Sequence, residues 1–164
     1  MRERGFSLLE IIVVLVLLSL SVALIAPSLS RFSRSVELKS AAKKVAAILR
    51  YYRSEAIHKG KVYQVLFDSD LKEVKVRLTE SAEEGEGEER KETQEVQKTY
   101  RLPSDVQMKE VKTESTQYPC DLPAIEFYPN GGSNGGNIHL NTETQGGYKI
   151  KINFLTGTVA IEKG

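Results

Sequence analysis

The stretch Met1-Arg2-Glu3-Arg4-Gly5-Phe6-Ser7-Leu8-Leu9-Glu10 runs directly into the apolar residues 11–26, and this junction decides how the chain begins. Glu10 is the only charged residue in 6–26. Those 21 residues would form an α-helix roughly 31 Å long at about 1.5 Å per residue, which matches the hydrocarbon core of a bilayer. A carboxylate within such a span costs about 2.5–3.5 kcal/mol on insertion scales. The sequence therefore predicts a transmembrane helix over 6–26, with Glu10 as a functional residue.

The order of these first residues is also informative. A short basic leader ends in Gly5, Phe6 follows, and Glu10 lies five residues after the glycine. This pattern resembles the type IV pilin-like family. The resemblance implies that a prepilin peptidase removes the leader, 1–5, by cutting between Gly5 and Phe6, and that it methylates the new amine of Phe6. It further implies that the apolar helix is retained and packs subunits into a filament, with Glu10 as an assembly residue.

Two simpler interpretations compete with this one. The first is an ordinary secretory signal peptide, with the small residues Ser21 and Ala23 at a plausible cleavage site. Glu10 argues against it, because a signal that is removed gains nothing from an acid in its apolar region. The second is a plain membrane anchor without a role in assembly.

Charge does not settle the orientation of the span. Arg2 and Arg4 precede it, while three cations follow it at Arg31, Arg34 and Lys39. Orientation rests on the resemblance, which implies a single-pass protein of the bacterial inner membrane, in contact with the lipid bilayer, with its C-terminal domain in the periplasm.

The near-neutral net charge of the chain conceals two segments of opposite charge. The 164-residue chain has a net charge of +1, yet 31–61 carries nine Lys or Arg against two Glu, and 80–95 carries eight Glu against Arg90 and Lys91. The acidic segment has no apolar residue beyond Ala82, so we predict a mobile loop over 80–95. The single cysteine, Cys120, excludes an internal disulfide, and we interpret it as a small buried residue.

Beyond the apolar stretch the helical periodicity continues to Lys59, and Gly60 ends it. Pro27 lacks a backbone donor, so we predict a helix kink there. The segment 27–59 is therefore predicted to be the amphipathic part of the same helix, and the resemblance implies that it lies in the periplasm. Its predicted buried stripe is Val36, Leu38, Ala41, Val45, Ile48 with Leu49, Tyr52 and Ala56.

After Gly60 the apolar period changes from 3.6 to 2, which indicates strands. Short strands are predicted at 61–68, 73–78, 96–102, 106–111, 125–128, 138–140, 148–154 and 158–162, with the first two and the last two as hairpins. The loop 129–137 holds four glycines and should need positive φ angles. The fold class is α+β: a long, half-transmembrane helix packed on an antiparallel β-sandwich of about seven or eight strands, 60–164.

The C-terminal part carries a second resemblance. A Phe127-x-Pro129 strand end, the glycine-rich loop, a strand, and a closing hairpin with Thr156-Gly157 at its turn resemble GspH-type minor pseudopilins of the type II secretion system. That group includes FimT-like minor pilins of type IV pili. The resemblance implies a structural subunit at or near the tip of a periplasmic pseudopilus that helps initiate assembly for protein secretion. Implied partners are other minor and major pseudopilins and the inner-membrane assembly platform.

Two other functions, DNA capture and catalysis, compete with this one. A FimT-like pilin that captures DNA needs exposed Lys or Arg, but the helix cations share their helix with the buried stripe and the acidic segment repels DNA. Many relatives also carry Arg or Lys where this chain has Thr158. DNA binding is therefore not favoured. Catalysis is not favoured either, because His58 and His139 are the only histidines and lie far apart in the sequence. No catalytic residue, metal site or cofactor is predicted.

Overall fold

The computed structural model describes residues 7–79, 96–118, 120–142 and 145–164, and it omits the side chains of 23–32, 96–97 and 145. The leader, Phe6 and the predicted mobile loop, 80–95, lie outside these residues. One helix, α1, spans Leu8–Lys59. It ends where predicted, because Gly60 has a φ of +64°, which an L-residue adopts only under strain. Pro27 lies inside α1, and the predicted kink stays a prediction.

The chain divides into two compact units, Met1–Val36 and Glu37–Gly164. In the first unit the apolar side chains from Leu8 to Val22 are exposed, Leu8 by 78% and Val22 by 65%. Among the described residues, no helical stretch is both long enough and apolar enough to cross a bilayer.

The second unit contains the rest of α1 and eight strands, which confirms the predicted class. The strands are β1 Val62–Asp68, β2 Glu73–Thr79, β3 Val96–Arg101, β4 Gln107–Thr113, β5 Ala124–Phe127, β6 Gly136–Thr142, β7 Gln145–Ile152 and β8 Val159–Lys163. They form two antiparallel four-stranded sheets, ordered β3-β2-β1-β5 and β4-β6-β7-β8. Both predicted hairpins are present: β1 pairs with β2 and β7 with β8.

One core joins the helix to both sheets. Nine residues of α1 are buried in it: Leu38, Ala41, Ala42, Val45, Ala46, Ile48, Leu49, Tyr52 and Ala56. The strands contribute Val65 and Phe127 from the first sheet and Ile138 and Ile150 from the second, all with 0% exposure. Alternation along β6 explains its inward side chains, since Ile138, Leu140 and Thr142 are buried and the residues between them are not. The amphipathic half of α1 is thus an integral layer of the domain.

Three predictions about individual side chains were wrong. Val36, placed in the buried stripe, is 50% exposed, because the stripe begins at Leu38. Phe154, placed in the last strand but one, lies beyond the end of β7 in a turn and is 56% exposed. Cys120 is only partly buried, and its Sγ lies 3.7 Å from Oγ1 of Thr116.

Candidate assembly site

Glu10 lies in the first turn of α1. Its backbone N–H donates to the carbonyl of Ser7 at 3.0 Å, so the residue belongs to the regular start of the helix. The side chain is exposed, and its apolar neighbours Leu9 and Ile11 are exposed by 70% and 49%. A single carboxylate therefore sits within an apolar helical surface. Gly5 and Phe6, the predicted cleavage and methylation residues, lie outside the described residues.

Such a surface cannot stay in water at low cost. Each large aliphatic side chain removed from water contributes about 1.5–3 kcal/mol, and Leu8 through Val22 supply many of them. Lipid or another apolar helix can cover this surface. The carboxylate of Glu10 then needs a cationic or hydrogen-bonding partner, because an unpaired charge in an apolar medium is strongly disfavoured.

Three cations of the amphipathic part of α1 donate hydrogen bonds to backbone carbonyls of the β domain. Nε of Arg53 donates to the carbonyl of Thr156 at 2.9 Å and to that of Gly131 at 3.2 Å. Arg50 donates through Nη2 to the carbonyl of Val159 at 2.8 Å, and Lys44 donates to that of Arg101 at 3.0 Å. These three cations hold the β domain against the helix and are not simply solvated.

The glycine-rich loop and the last turn meet beside Arg53. Gly131, Gly135 and Gly136 have positive φ angles, as the sequence predicted for this loop, and so does Gly157 in the turn. A Cβ on Gly157 would lie 2.5 Å from the carbonyl oxygen of Gly131. The two segments thus approach each other more closely than side chains would permit.

A buried carboxylate fixes the segment before β5. Glu126 has 0% exposure, and its Oε1 accepts from Nε2 of Gln64 at 2.9 Å and from the N–H of Tyr118 at 3.0 Å. Its Oε2 accepts from the N–H of Gln117 and from the hydroxyl of Tyr128, each at 2.8 Å. Burial, followed by the hydrogen bond to Glu126, raises the pKa of Tyr128 well above its usual range, so this phenol stays protonated and donates.

Sequence reasoning missed Glu126 and Arg53. The signal for Glu126 is that it interrupts the otherwise apolar strand Ala124–Phe127, all four residues of which are buried, and a buried charged group needs hydrogen-bond partners. Arg53 follows the buried Tyr52 on the helix, and nothing in its spacing indicates which carbonyls its side chain reaches.

In the described part of the chain, no group of three or more His, Cys, Asp or Glu side chains is placed to hold a metal ion. His58 is exposed near the end of α1, and His139 is half-buried between the paired positions Glu110 and Lys149. The two histidines belong to different elements and form no cluster.

Comparisons with known proteins place these features in a family. Residues 1–26 match the prokaryotic N-terminal methylation motif, and residues 41–156 match the type II transport protein GspH. The type II secretion system protein H of Xanthomonas campestris pv. campestris is 30% identical over 156 residues, which cover 95% of this chain and 81% of that protein.

Solved structures show the same fold. The minor pseudopilin EpsH of the Vibrio cholerae type 2 secretion system has a TM-score of 0.54 at 14% identity, over 77% of this chain and 97% of that one. The type IV minor pilin FimU of Pseudomonas aeruginosa has a TM-score of 0.54 at 19% identity, over 80% and 92%. Helix, sheets and N-terminal motif together define a pilin-like protein. Within that class the chain belongs to the GspH family. The members of this family are minor pseudopilins of type II secretion, which are structural subunits.

Proposed function

We propose that this protein is a minor subunit at or near the tip of a type II secretion pseudopilus, where it helps to initiate assembly for protein secretion. The observation that carries the proposal is the match of both parts of the chain, the methylation motif over 1–26 and the GspH family over 41–156. Residues 6–26 anchor the subunit in the inner membrane, and the β domain lies in the periplasm. Its partners are the other pseudopilins and the inner-membrane assembly platform.

Maturation supplies the second charge of the assembly site. The prepilin peptidase cuts between Gly5 and Phe6 and methylates the amine that it exposes. This new cation lies four residues before Glu10 in the sequence, in a segment, 6–26, that has no other charged side chain. Neither the amine nor the carboxylate is tolerated alone in hydrocarbon, so each favours a neighbouring subunit whose opposite charge lies at the same depth. Pairing between subunits thereby sets the register of helix against helix.

Substituting Glu10 separates processing from assembly. Glu10→Val should still be inserted and cut, because it removes a charge from the span and makes insertion easier by about 2.5–3.5 kcal/mol on insertion scales. Co-purification with the other minor subunits should fall while the membrane level holds. Ser19→Val is the matched control: the Ser19 hydroxyl donates to the carbonyl of Leu15 in its own helix at 2.8 Å, so losing it should not affect assembly. Undiminished co-purification of Glu10→Val would show that the periplasmic domains alone carry the association.

A role as a minor pilin of a type IV pilus is the second candidate, supported by the fold shared with FimU. Deleting the gene distinguishes the two roles. Loss of protein secretion with normal pilus retraction supports the secretion role. Loss of pilus retraction with normal protein secretion supports the pilus role. DNA capture is a less favoured form of this second candidate. Lys44, Arg50 and Arg53 each donate to a backbone carbonyl, which leaves fewer free cations on α1 for phosphates.

A further inference from the structure

Two connected grooves lie on the surface where β4 ends. The larger has a volume of about 590 Å³ and the smaller about 500 Å³. Both grooves are lined by Thr113, Glu114 and Phe154. The two grooves therefore form one trough with Phe154 at its middle. Each volume lies within the roughly 300–1,000 Å³ typical of small-molecule sites.

Two aromatic side chains face this trough. Phe154 is 56% exposed although it belongs to a turn that is otherwise tightly held. The Asn153 carboxamide accepts from the N–H groups of Leu155 and Thr156, each at 3.0 Å, and the carbonyl of Phe154 accepts from Ser133 at 3.0 Å. The second aromatic, Tyr128, lines the smaller groove, and its hydroxyl is fixed by Glu126. The backbone that carries Phe154 and the hydroxyl of Tyr128 are therefore held in place before any ligand arrives.

The remaining lining is mostly polar, unlike the apolar lining of most small-molecule pockets. Ser115, Asn137 and Thr158 are exposed or half-exposed there. The glycine pair at positions 135–136 forms part of the surface and leaves it open, since a Cβ on Gly135 would lie 3.3 Å from that of Phe154. A ligand for this site must offer many hydrogen-bonding groups together with an apolar face.

The charges of the trough are largely compensated. Lys112 pairs with Glu110 at 3.0 Å, and Lys151 pairs with Glu162 at 2.8 Å. Glu114 is the remaining charged residue of the lining, and it disfavours a polyanion such as nucleic acid. The site thus suits an uncharged ligand.

From these features we infer that the trough binds a neutral oligosaccharide, with a sugar ring stacked on Phe154. Sugar rings carry C–H groups on one face and hydroxyls around their edge. The electron-rich face of an aromatic ring attracts the C–H groups, and the hydroxyls match the amide and hydroxyl groups that line the trough. This binding is separate from the proposed role in the filament and does not depend on it.

Saturation-transfer NMR on the full-length protein tests the inference, with the tetramers of β-1,4-linked N-acetylglucosamine and of β-1,4-linked glucose as probes. The detergent must be zwitterionic and free of sugar head groups. We expect transfer to the ring protons of at least one tetramer. The affinity should be roughly two- to tenfold weaker in Phe154→Ala, because this variant loses the aromatic contact with the sugar ring. Leu155→Ala is the matched control: Leu155 is the next residue and is 78% exposed, but it lines neither groove.

Three results would overturn the inference. The first is an absence of transfer to either tetramer. The second is equal weakening by Phe154→Ala and Leu155→Ala, which would indicate a non-specific apolar surface. The third is loss of co-purification with other pilin-like subunits in Phe154→Ala while sugar binding is unchanged, which would make the trough a contact between subunits. The unfolding midpoint of each variant, compared with the parent protein, verifies that the fold is retained.

Discussion

Arg53 and Thr156 lie 103 positions apart, and Nε of Arg53 donates to the carbonyl of Thr156 at 2.9 Å. The same Nε reaches the carbonyl of Gly131 at 3.2 Å. One helical side chain therefore holds both the glycine-rich loop and the turn before the last strand. Both segments belong to the C-terminal sequence pattern that resembles GspH-type pseudopilins, so Arg53 connects the helix to that pattern.

Arg53→Met should destabilise the domain by about 1.5–2 kcal/mol. This is the lower part of the range for hydrogen bonds to charged groups, because Arg53 is partly exposed. Thermal unfolding of the full-length protein measures the effect, which should be a few degrees in midpoint. Lys43→Met is the control, since Lys43 is an exposed cation of the same helix. Equal midpoints for the two variants would contradict the role given to Arg53.

Substitutions at two glycines distinguish the cost of backbone strain from the cost of steric overlap. Gly60 and Gly157 have nearly the same φ, +64° and +59°, but a Cβ on Gly60 meets open space, whereas one on Gly157 lies 2.5 Å from the Gly131 oxygen. Gly60→Ala should cost only roughly 1–2 kcal/mol from its left-handed backbone. Gly157→Ala should cost clearly more, because the loop carrying Gly131 must also shift. Chemical denaturation measures the free energy of unfolding of both variants. A smaller loss of this free energy in Gly157→Ala than in Gly60→Ala would show that the contact with the Gly131 oxygen relaxes freely.

Asp68 should contribute to the acid sensitivity of the fold. The hydrogen bond from Lys75, at 2.8 Å, followed by that from the N–H of Leu71, at 3.0 Å, lowers the pKa of Asp68 in the folded state. The unfolded chain then binds the proton more tightly, so this stabilisation is present above the unfolded pKa of Asp and is lost as the pH falls through the folded value. The thermal unfolding midpoint of the parent protein should fall between neutral pH and about pH 3, and this fall should be smaller in Asp68→Asn.

Asp70→Asn is the control for that measurement, because Asp70 is exposed in the same turn. It should leave the dependence of the midpoint on pH close to that of the parent protein. If Asp68→Asn keeps the full acid sensitivity of the parent, the pair formed with Lys75 does not contribute as described.

The mature N-terminus should be N-methylated Phe6. Gly5 and Phe6 precede the apolar run, which is the order expected for a prepilin peptidase and the reverse of that for signal peptidase. Mass spectrometry of the purified protein measures the N-terminus directly. Gly5→Val should leave an uncut precursor in the inner membrane. A terminus after Ala23 would instead indicate a removed signal and would contradict the proposed function.

Much of the fold could be predicted because its signals are local. The switch in apolar period after Gly60 located all eight strands, and the end of α1 followed from one glycine. Pairing between distant strands could not be predicted in the same way. β5 pairs with β1 across more than fifty residues, and no hydrophobic pattern states which of several similar strands lies beside another.

In the candidate site, too, the residue with a local signal could be recognised and the residues that depend on distant contacts could not. Glu10 was recognisable because one charge in an apolar run is costly wherever the run lies. Glu126 and Arg53 were not recognised, because their roles depend on partners supplied by distant segments. Phe154 was assigned to the wrong environment for a related reason. The alternation of β7 continues to it in sequence, but Asn153 ends the strand, because its side-chain oxygen accepts from the N–H groups of Leu155 and Thr156.

The contact of α1 with the last strand has a consequence for the time at which the domain can fold. Val159 belongs to the core that covers α1, and its carbonyl accepts from Arg50, so the helix gains this cover only when the final residues of the chain are available. During synthesis, the stripe from Leu38 to Ala56 therefore stays incompletely covered until nearly the whole polypeptide is available. A chain whose first helix depends on its last strand folds late and stays prone to aggregation until then.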